Sequence, residues 1–210
     1  HLTDKNEQEL IDWKTALVNQ NSYNSHLEQE FQNEKLEVKQ QLVFSSGHSA
    51  IQKTSITNRS SKTITLYPIY NSKTYLDNMQ LSTEGQFLKL VSSKSNAVGY
   101  IQFFNEGIDI VITKDSFTAK TNKLTLKPNE TKEIVVSQTY IFPQYDWKKE
   151  NENLAKIQFN TLLKDTKKEK ENQLAQLIAK KKSIYKGAEY SIFIAKLLLT
   201  LQNNTRIPAE

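Results

Sequence analysis

The sequence predicts an α+β protein in which an antiparallel β-sandwich is followed by helices. Up to Phe142 the apolar residues recur mainly at every second position, in short runs that turn residues separate. After Pro143 the period of the apolar residues changes to about three and a half, which is typical of amphipathic helices. Short strands that follow one another without intervening helices favour two antiparallel sheets packed face to face.

The clearest predicted strand is Leu36–Phe44, in which apolar side chains alternate with polar ones and Gln40 alone breaks the period. Turn clusters rich in Ser, Gly and Asn separate this strand from two more, at Ala50–Asn58 and Thr63–Tyr70. The three are therefore expected to form an antiparallel meander. Six further strands are predicted downstream: Phe87–Val91, Tyr100–Phe104, Ile108–Thr113, Ser116–Ala119, Lys123–Leu126 and Lys132–Phe142.

The first 26 residues are interpreted as a polar lead-in to the sandwich, which is predicted to occupy residues 27–145. Trp13, Leu17 and Val18 are the candidate hydrophobic anchors of this lead-in. The start of the chain has neither the basic end nor the apolar stretch of a signal peptide.

Residues 146–184 are predicted to form linker helices. Two apolar stripes at helical spacing, Leu154–Leu163 and Leu174–Ile178, flank a charged stretch. The segment Thr166–Glu169 has the spacing of a capping box, so the second linker helix is expected to begin there. A third helix is predicted from about Lys186 to Gln202.

The segment Ile192–Leu201 of the third helix is apolar almost all round instead of along one stripe. A helix with that pattern is normally buried on most sides. The preceding helices are too polar to enclose it, and leaving several Leu and Ile side chains in water would forgo roughly 1.5 to 3 kcal/mol each. We therefore expect a covering partner, either more of the same polypeptide or a second copy of this chain.

Composition and charge exclude several functional classes. The net charge is +5, but lysines interleaved with glutamates supply most of the positive charge, and Arg59 and Arg206 are the two arginines. Because arginine is the preferred reader of phosphates and bases, we expect no nucleic-acid partner. No apolar run reaches the roughly 18 to 20 residues of a membrane span. The absence of cysteine excludes disulfides but leaves the compartment open, with a periplasmic or secreted location favoured.

The sequence contains no recognisable catalytic, metal or cofactor site. Its three histidines are scattered and are expected at the surface, and its five glycines form no phosphate-binding loop or nucleophile elbow. Glu106, Asp109 and Asp115 could in principle supply an acid and a base, but they occupy predicted strand and turn positions where carboxylates are commonly just solvated. We therefore predict no catalytic residue, no metal and no cofactor in this chain.

One aromatic cluster admits two interpretations. It consists of Tyr140, Phe142, Tyr145, Asp146 and Trp147, at the junction between the predicted sandwich and the helices. Aromatic rings beside a carboxylate can stack on a sugar ring and hydrogen-bond to it. The same residues can anchor the sandwich to the helical part, and this is the preferred interpretation.

The segment Tyr185–Glu210 contains a spaced set of residues: Ala195, Lys196, Thr200 and Leu201, followed by Asn203, Arg206 and Pro208. Through this set the segment resembles the opening of the helical barrel in glycoside hydrolase family sixty-three, which includes bacterial α-glycosidases and the processing α-glucosidase of N-glycan trimming. The strand region Phe31–Phe142 is similar to the later strands of that family's N-terminal sandwich. Ala195 and Lys196 stand in the reverse of the family's order.

The resemblance implies an enzyme that hydrolyses α-glycosidic bonds with inversion by means of two carboxyl groups on the barrel. In such enzymes both carboxyl groups lie downstream of the position that corresponds to Glu210. Residues 185–210 would then be the first helix of an (α/α) barrel, and the chain a non-catalytic interior piece. Its partners would be the downstream catalytic barrel of the same polypeptide and an oligosaccharide substrate.

The resemblance also marks Arg206 as a substrate-binding candidate at the mouth of the barrel. The alternative role of Arg206 is a cation near the last carbonyls of a helix. A different class of function also stays open, namely a stand-alone β-sandwich that binds carbohydrate or mediates adhesion and carries a helical tail.

Overall fold

A computed structural model describes residues 1–73, 78–84, 87–105, 107–180 and 187–204. The chain divides into two compact units, His1–Phe159 and Asn160–Glu210. The described strands are β1 (Leu2–Thr3), β2 (Leu17–Ser22), β3 (Leu27–Gln32), β4 (Leu36–Phe44), β5 (Ser49–Asn58), β6 (Ile64–Lys73), β7 (Met79–Glu84), β8 (Phe87–Ser92), β9 (Val98–Phe103), β10 (Asp109–Ile112), β11 (Ser116–Lys120), β12 (Leu124–Leu126) and β13 (Thr131–Ile141). The described helices are α1 (Trp147–Leu154), α2 (Phe159–Ala179) and α3 (Ala188–Asn204).

The strands of the first unit form two antiparallel sheets, which confirms the predicted sandwich followed by helices. The large sheet has the order β2-β3-β4-β5-β13-β9-β8-β7. The small sheet has the order β1-β6-β11-β10, and β12 also pairs with β6. The predicted meander is present as β4 and β5 of the large sheet, whereas the third strand, β6, belongs to the small sheet.

The alternating pattern of β4 and β5 determines how the large sheet is buried. These strands pair from Leu36 opposite Asn58 to Phe44 opposite Ala50, without a register shift. Successive side chains of a strand point to opposite faces of the sheet. Val38 and Ile56 are opposite each other, point to the same face and are fully buried. Removing each such side chain from water contributes roughly 1.5 to 3 kcal/mol.

The core lies between one end of the large sheet and the small sheet. The large sheet contributes aromatic and aliphatic side chains from β3, β4, β5, β8, β9 and β13, and the small sheet contributes side chains from β1, β6, β11 and β12. The core residues are Leu2, Ile11, Ala16, Phe31, Leu36, Val38, Ile56, Leu66, Leu88, Phe103, Phe117, Ala119, Leu126, Ile134 and Val136.

The first 26 residues carry more structure than the sequence pattern predicts. β1 pairs with β6, β2 pairs with β3, and Leu2, Ile11 and Ala16 are buried in the core. Of the candidate anchors, Trp13 packs edge-on against Phe31, whereas Leu17 and Val18 are 40% and 61% exposed. A local pattern misses these contacts because the buried residues are isolated and their partners are distant in the sequence.

A buried asparagine ties two turns of the sandwich together. Asn58 is fully buried, and its Nδ2 donates to the carbonyls of Lys62 (2.7 Å) and Leu126 (3.0 Å). Its Oδ1 accepts from the backbone N–H and the hydroxyl of Ser60. The backbone of Asn58 also exchanges hydrogen bonds with the turn at 127–130, where Asn129 has the positive φ of 61° that the third position of a type II turn requires.

The helix boundaries differ in part from those predicted. Asp146 caps α1 by accepting from the backbone N–H groups of Lys148 and Lys149. The predicted helix start at Thr166–Glu169 is wrong, because α2 is continuous from Phe159 to Ala179. Lys, Glu and Gln are good helix formers, so capping-box spacing inside such a stretch does not start a helix. None of the described helices is long and apolar enough to span a membrane.

α3 confirms the third predicted helix and presents an apolar surface. Ile192, Phe193 and Leu201 are 60%, 63% and 59% exposed, and no α3 residue with a described side chain is buried. These side chains are therefore available to a covering partner.

Candidate functional site

The face of the large sheet that points towards the small sheet, here called the inner face, is covered at one end only. Along β4 and β5 it changes from the buried Val38 and Ile56 to the half-buried Leu42 and Gln52, and then to Phe44, which is 68% exposed. The core ends where the small sheet ends. The uncovered end of the inner face, here called the open half, is therefore a solvent-facing floor made of regular strands.

Five glutamines from five strands lie on this open half. Gln20 is opposite Gln29, and Gln29 is opposite Gln40, so β2, β3 and β4 present three amides side by side. Neighbouring strands lie about 4.8 Å apart, so this row extends about 10 Å across the sheet. Gln52 on β5 and Gln138 on β13 continue the set in the next two rows, opposite Leu42 and Ala50.

The five inner-face glutamines have unused hydrogen-bonding groups. Gln20 and Gln138 are exposed, and the other three are half-buried. Within the part of the chain that the structure describes, none of their side chains hydrogen-bonds to another residue. Each amide offers two N–H donors and a carbonyl acceptor. The open half can therefore both donate and accept hydrogen bonds at positions that a rigid sheet sets.

Three open depressions follow one another along the open half. One of about 470 Å³ is lined by Gln20, Gln29, Gln40 and Leu42 among others. A second of about 360 Å³ lies where Gln40 and Gln52 meet Trp13 and Tyr70. A third of about 370 Å³ is bordered by the side chains of Phe44, Gln138 and Tyr140. Gly99, opposite Tyr140, adds no side chain to the floor of this third depression.

Tyr70 marks the boundary between the core and the open half. Its ring packs against Phe103 in the core, with the ring centroids 5.4 Å apart. Burial raises the pKa of its hydroxyl, and a hydrogen bond with Thr54 lowers it by less. Tyr70 is therefore a neutral residue at the edge of the depressions.

The opposite, outer face of the large sheet carries charges where the open half carries amides. Glu28 and Lys39 lie on this face, and the Lys39 ammonium is 3.1 Å from Glu28 and 2.7 Å from Glu30. Burial alone would raise the pKa of Glu28, but the hydrogen bond from Gln41 and the Lys39 charge outweigh burial and hold this pKa below its usual value. Lys53 is 2.8 Å from Glu133 on the same face.

The predicted aromatic cluster divides between two places. Trp147 stacks on Tyr100 with the ring centroids 3.8 Å apart and the planes 1° from parallel, and it meets Phe87 edge-on. Asp146 is occupied as the cap of α1. Trp147 therefore anchors α1 to the outer face, and Glu150 strengthens the attachment by accepting from the hydroxyls of Ser46 and Ser49.

The other members of that cluster are accessible. Tyr140 is 54% exposed and Phe142 is 42% exposed, and their rings meet edge-on at 5.5 Å. Tyr140 stands beside Phe44 at the aromatic end of the open half, whereas Tyr145 contacts His48. Aromatic faces of this kind can stack on the apolar face of a sugar ring.

Of the remaining candidate residues, the two carboxylates that the structure describes, Asp109 and Asp115, lie at opposite ends of β10. Asp109 begins β10, whereas Asp115 follows its end and pairs with Lys73 at the surface. Glu106 and the substrate-binding candidate Arg206 lie outside the described residues. Among the described residues, no group of three or more His, Asp or Glu side chains is placed to hold a metal ion.

The expectation that all three histidines lie at the surface is wrong for His26. Its side chain is 2% exposed, stacks against Tyr23 and lies 3.5 Å from Glu28. The pairing of β2 with β3 brings these three residues together, and a single-residue pattern does not reveal such a cluster.

Comparison with solved structures shows a fold shared with carbohydrate-active proteins. A protein described as a candidate kojibiose phosphorylase, from the human microbiome, matches with a TM-score of 0.59 and 12% identity over 80% of this chain and 26% of its own. An aldose 1-epimerase candidate from Escherichia coli matches with a TM-score of 0.44 and 8% identity over 60% of this chain and 68% of its own. A heparan sulfate lyase from Pedobacter heparinus matches with a TM-score of 0.45 and 12% identity over 69% and 24%.

The present chain thus spans about a quarter of the length of the first of these proteins. No family model and no curated protein matches the sequence. At 12% identity the similarity to the first of these proteins establishes the fold alone.

The open half cannot be recognised from any single strand of the sequence, although one strand carries a signal of it. Gln40 interrupts the apolar alternation of β4, and an amide at a position that faces the core is otherwise unexplained. Its significance depends on Gln29 and Gln52, which lie on neighbouring strands and are brought alongside only by the register of the sheet.

Proposed function

We propose that this chain is a non-catalytic N-terminal portion of an α-glycosidase that hydrolyses oligosaccharides with inversion. The observation that carries the proposal is the fold match over 80% of this chain to about a quarter of a much longer sugar-processing protein. In this proposal residues 27–145 are the sandwich, residues 146–184 are linker helices, and residues 185–210 are the first helix of a helical barrel.

The exposed surface of α3 supports the same proposal. Ile192, Phe193 and Leu201 are more than half exposed on a helix that the resemblance assigns to the start of a barrel. Packing against further helices would bury this surface and contribute roughly 1.5 to 3 kcal/mol per side chain. The covering partner in this proposal is the downstream catalytic barrel of the same polypeptide.

The experiment compares this chain with a longer natural polypeptide that contains it, using an aryl α-glycoside as substrate. We expect turnover by the longer polypeptide and none by this chain alone. The matched control is the longer polypeptide with Asp109→Asn and Asp115→Asn, which should retain full activity. Turnover by this chain that disappears when one of its own carboxylates is replaced would refute the proposal.

Arg206 provides a second test in the longer polypeptide. As a substrate-binding residue, Arg206→Ala should reduce kcat/KM by at least tenfold, a loss of about 1.4 kcal/mol of transition-state stabilisation, with little change in Tm. A lowered Tm with unchanged kinetics would instead assign Arg206 to the end of a helix.

The open half of the large sheet favours a second candidate function, a carbohydrate-binding module with a helical tail. Unpaired amides on a rigid sheet are suited to binding without catalysis. Retained glycan binding by this chain, together with no glycosidase activity in any longer polypeptide, would favour this second function.

A further inference from the structure

We propose that the open half of the large sheet binds an elongated, neutral oligosaccharide through the five inner-face glutamines and the aromatic residues at its end. This inference rests on the second candidate function and deepens it by naming the ligand class and the residues that bind. It is independent of the glycosidase proposal, because it needs no catalytic carboxylate and no segment outside the described sandwich. Three features support it: the hydrogen-bonding chemistry of the amides, the lack of charged side chains at the inner-facing positions of β2, β3, β4, β5 and β13 within the open half, and the shape of the surface.

The hydrogen-bonding chemistry points to hydroxyl groups. A sugar hydroxyl both donates and accepts, and a primary amide likewise has donors and an acceptor. Gln20, Gln29 and Gln40 present three such groups in one row, and the regular sheet holds their backbones in place. A ligand with hydroxyl groups on successive rings can replace the hydrogen bonds that these amides make with water, so that none of the amides is left unpaired on binding.

The charge pattern points to a neutral ligand. On the open half, β2, β3, β4, β5 and β13 present amide, hydroxyl, aliphatic and aromatic side chains, and the ion pairs Lys39–Glu30 and Lys53–Glu133 lie on the outer face. Exposure to water does not by itself explain why the open half lacks charged side chains, because the same strands carry charged side chains where their outer face meets water. A uronic acid or sulfated sugar would find no ammonium or guanidinium from these five strands on the open half.

The shape points to a chain of sugars instead of a single ring. The open half extends from Gln20 on β2 to Ile101 on β9, across six adjacent strands and therefore about 24 Å. Its depressions are open and continuous with solvent, which suits a ligand that lies along the surface. Phe44 and Tyr140 at one end offer ring faces on which a terminal or internal sugar can stack.

The experiment measures binding to this chain by isothermal titration calorimetry and by the shifts of glutamine side-chain amide signals in NMR spectra. The probes are maltohexaose and cellohexaose as neutral oligosaccharides and a hexagalacturonate as an acidic one. We expect at least one neutral probe to bind and to shift the inner-face glutamine signals. We expect the acidic probe to bind at least tenfold more weakly.

The variants Gln29→Ala, Gln40→Ala and Gln52→Ala should each weaken the neutral ligand about fivefold, the effect of losing one hydrogen bond. Tyr140→Ala should weaken it about tenfold through loss of stacking. Two exposed glutamines on the outer face of the same sheet, Gln32 and Gln80, are the matched controls, and Gln32→Ala and Gln80→Ala should leave binding unchanged.

The proposal is overturned if no neutral probe binds, if the inner-face and outer-face variants weaken binding equally, or if the acidic probe binds more tightly. It is also overturned if the inner-face variants abolish self-association of the chain, because the open half would then be a protein interface. Failure of this test leaves the glycosidase proposal standing, since that proposal is tested by turnover of a longer polypeptide.

Discussion

Asn58 allows a quantitative test of how the sandwich is held together. The change Asn58→Ala removes two donated bonds, to the carbonyls of Lys62 and Leu126, and the acceptor of Ser60. A typical intramolecular hydrogen bond contributes about 1 kcal/mol, and an unsatisfied buried group costs about 1 to 3 kcal/mol. Because Asn58 is fully buried, water cannot replace its bonds in the folded state without a rearrangement.

We therefore expect Asn58→Ala to lower the free energy of unfolding by about 2 to 4 kcal/mol. For a unit of this size the corresponding fall in Tm is roughly 4 to 16 °C. Urea denaturation followed by tryptophan fluorescence measures the effect, because Trp13 and Trp147 both lie in the first unit. Asn19→Ala is the control, since its side chain makes an exposed hydrogen bond and should change stability by less than about 0.5 kcal/mol. A loss below 1 kcal/mol for Asn58→Ala, or equal losses for the two variants, would refute the reasoning.

Three further predictions follow from the packing of the helices and from the outer face. Trp147→Ala should lower the free energy of unfolding by about 2 kcal/mol by removing the stack on Tyr100, and a double-mutant cycle with Tyr100→Ala should show a coupling of about 1 kcal/mol. The pKa of Glu28 is lower in the folded state than in the unfolded chain, so its contribution to stability is present above the unfolded value of about 4.5 and is lost as the pH falls through the folded value. Denaturation between pH 3 and 7 should therefore show a steeper acid loss for the natural chain than for Glu28→Gln, and identical slopes would contradict the ion-pair argument. Phe193→Glu should reduce the self-association that light scattering detects at high protein concentration. Thr200→Glu adds the same charge at an exposed polar position of α3 and should have a smaller effect. If the natural chain is a monomer, the apolar surface of α3 needs no cover.

A strand was predicted accurately where the sequence pattern that produces it lies within consecutive residues, and poorly where distant residues produce it. β4 was predicted at its observed bounds because its alternation is a property of nine consecutive residues. The segment before residue 27 was not recognised because Leu2, Ile11 and Ala16 are isolated apolar residues whose partners lie far along the chain. The start of α2 was misplaced because helix propensity through the charged stretch outweighs a local capping pattern.

The candidate site likewise combines features that the sequence shows with features that only the fold decides. Aromatic residues near the junction could be identified from composition. The sequence alone could not separate Trp147, which packs on the outer face, from Tyr140, which is exposed at the end of the open half. Tyr140 belongs to β13 and points to the inner face, whereas Trp147 begins α1 and packs on the outer face. The strand register of the large sheet and the position of α1 on it decide this difference.

The sequence by itself determined that this chain is a sandwich followed by helices, because the periods of two and of about three and a half arise from neighbouring residues. The tertiary structure alone decided which residues act together. Gln20, Gln29, Gln40, Gln52 and Gln138 are separated by up to 118 positions in the sequence, and strand register aligns them on one face. Register is specified by the burial of the apolar half of that face under the small sheet, so the core that stabilises the fold also positions the amides beyond its edge.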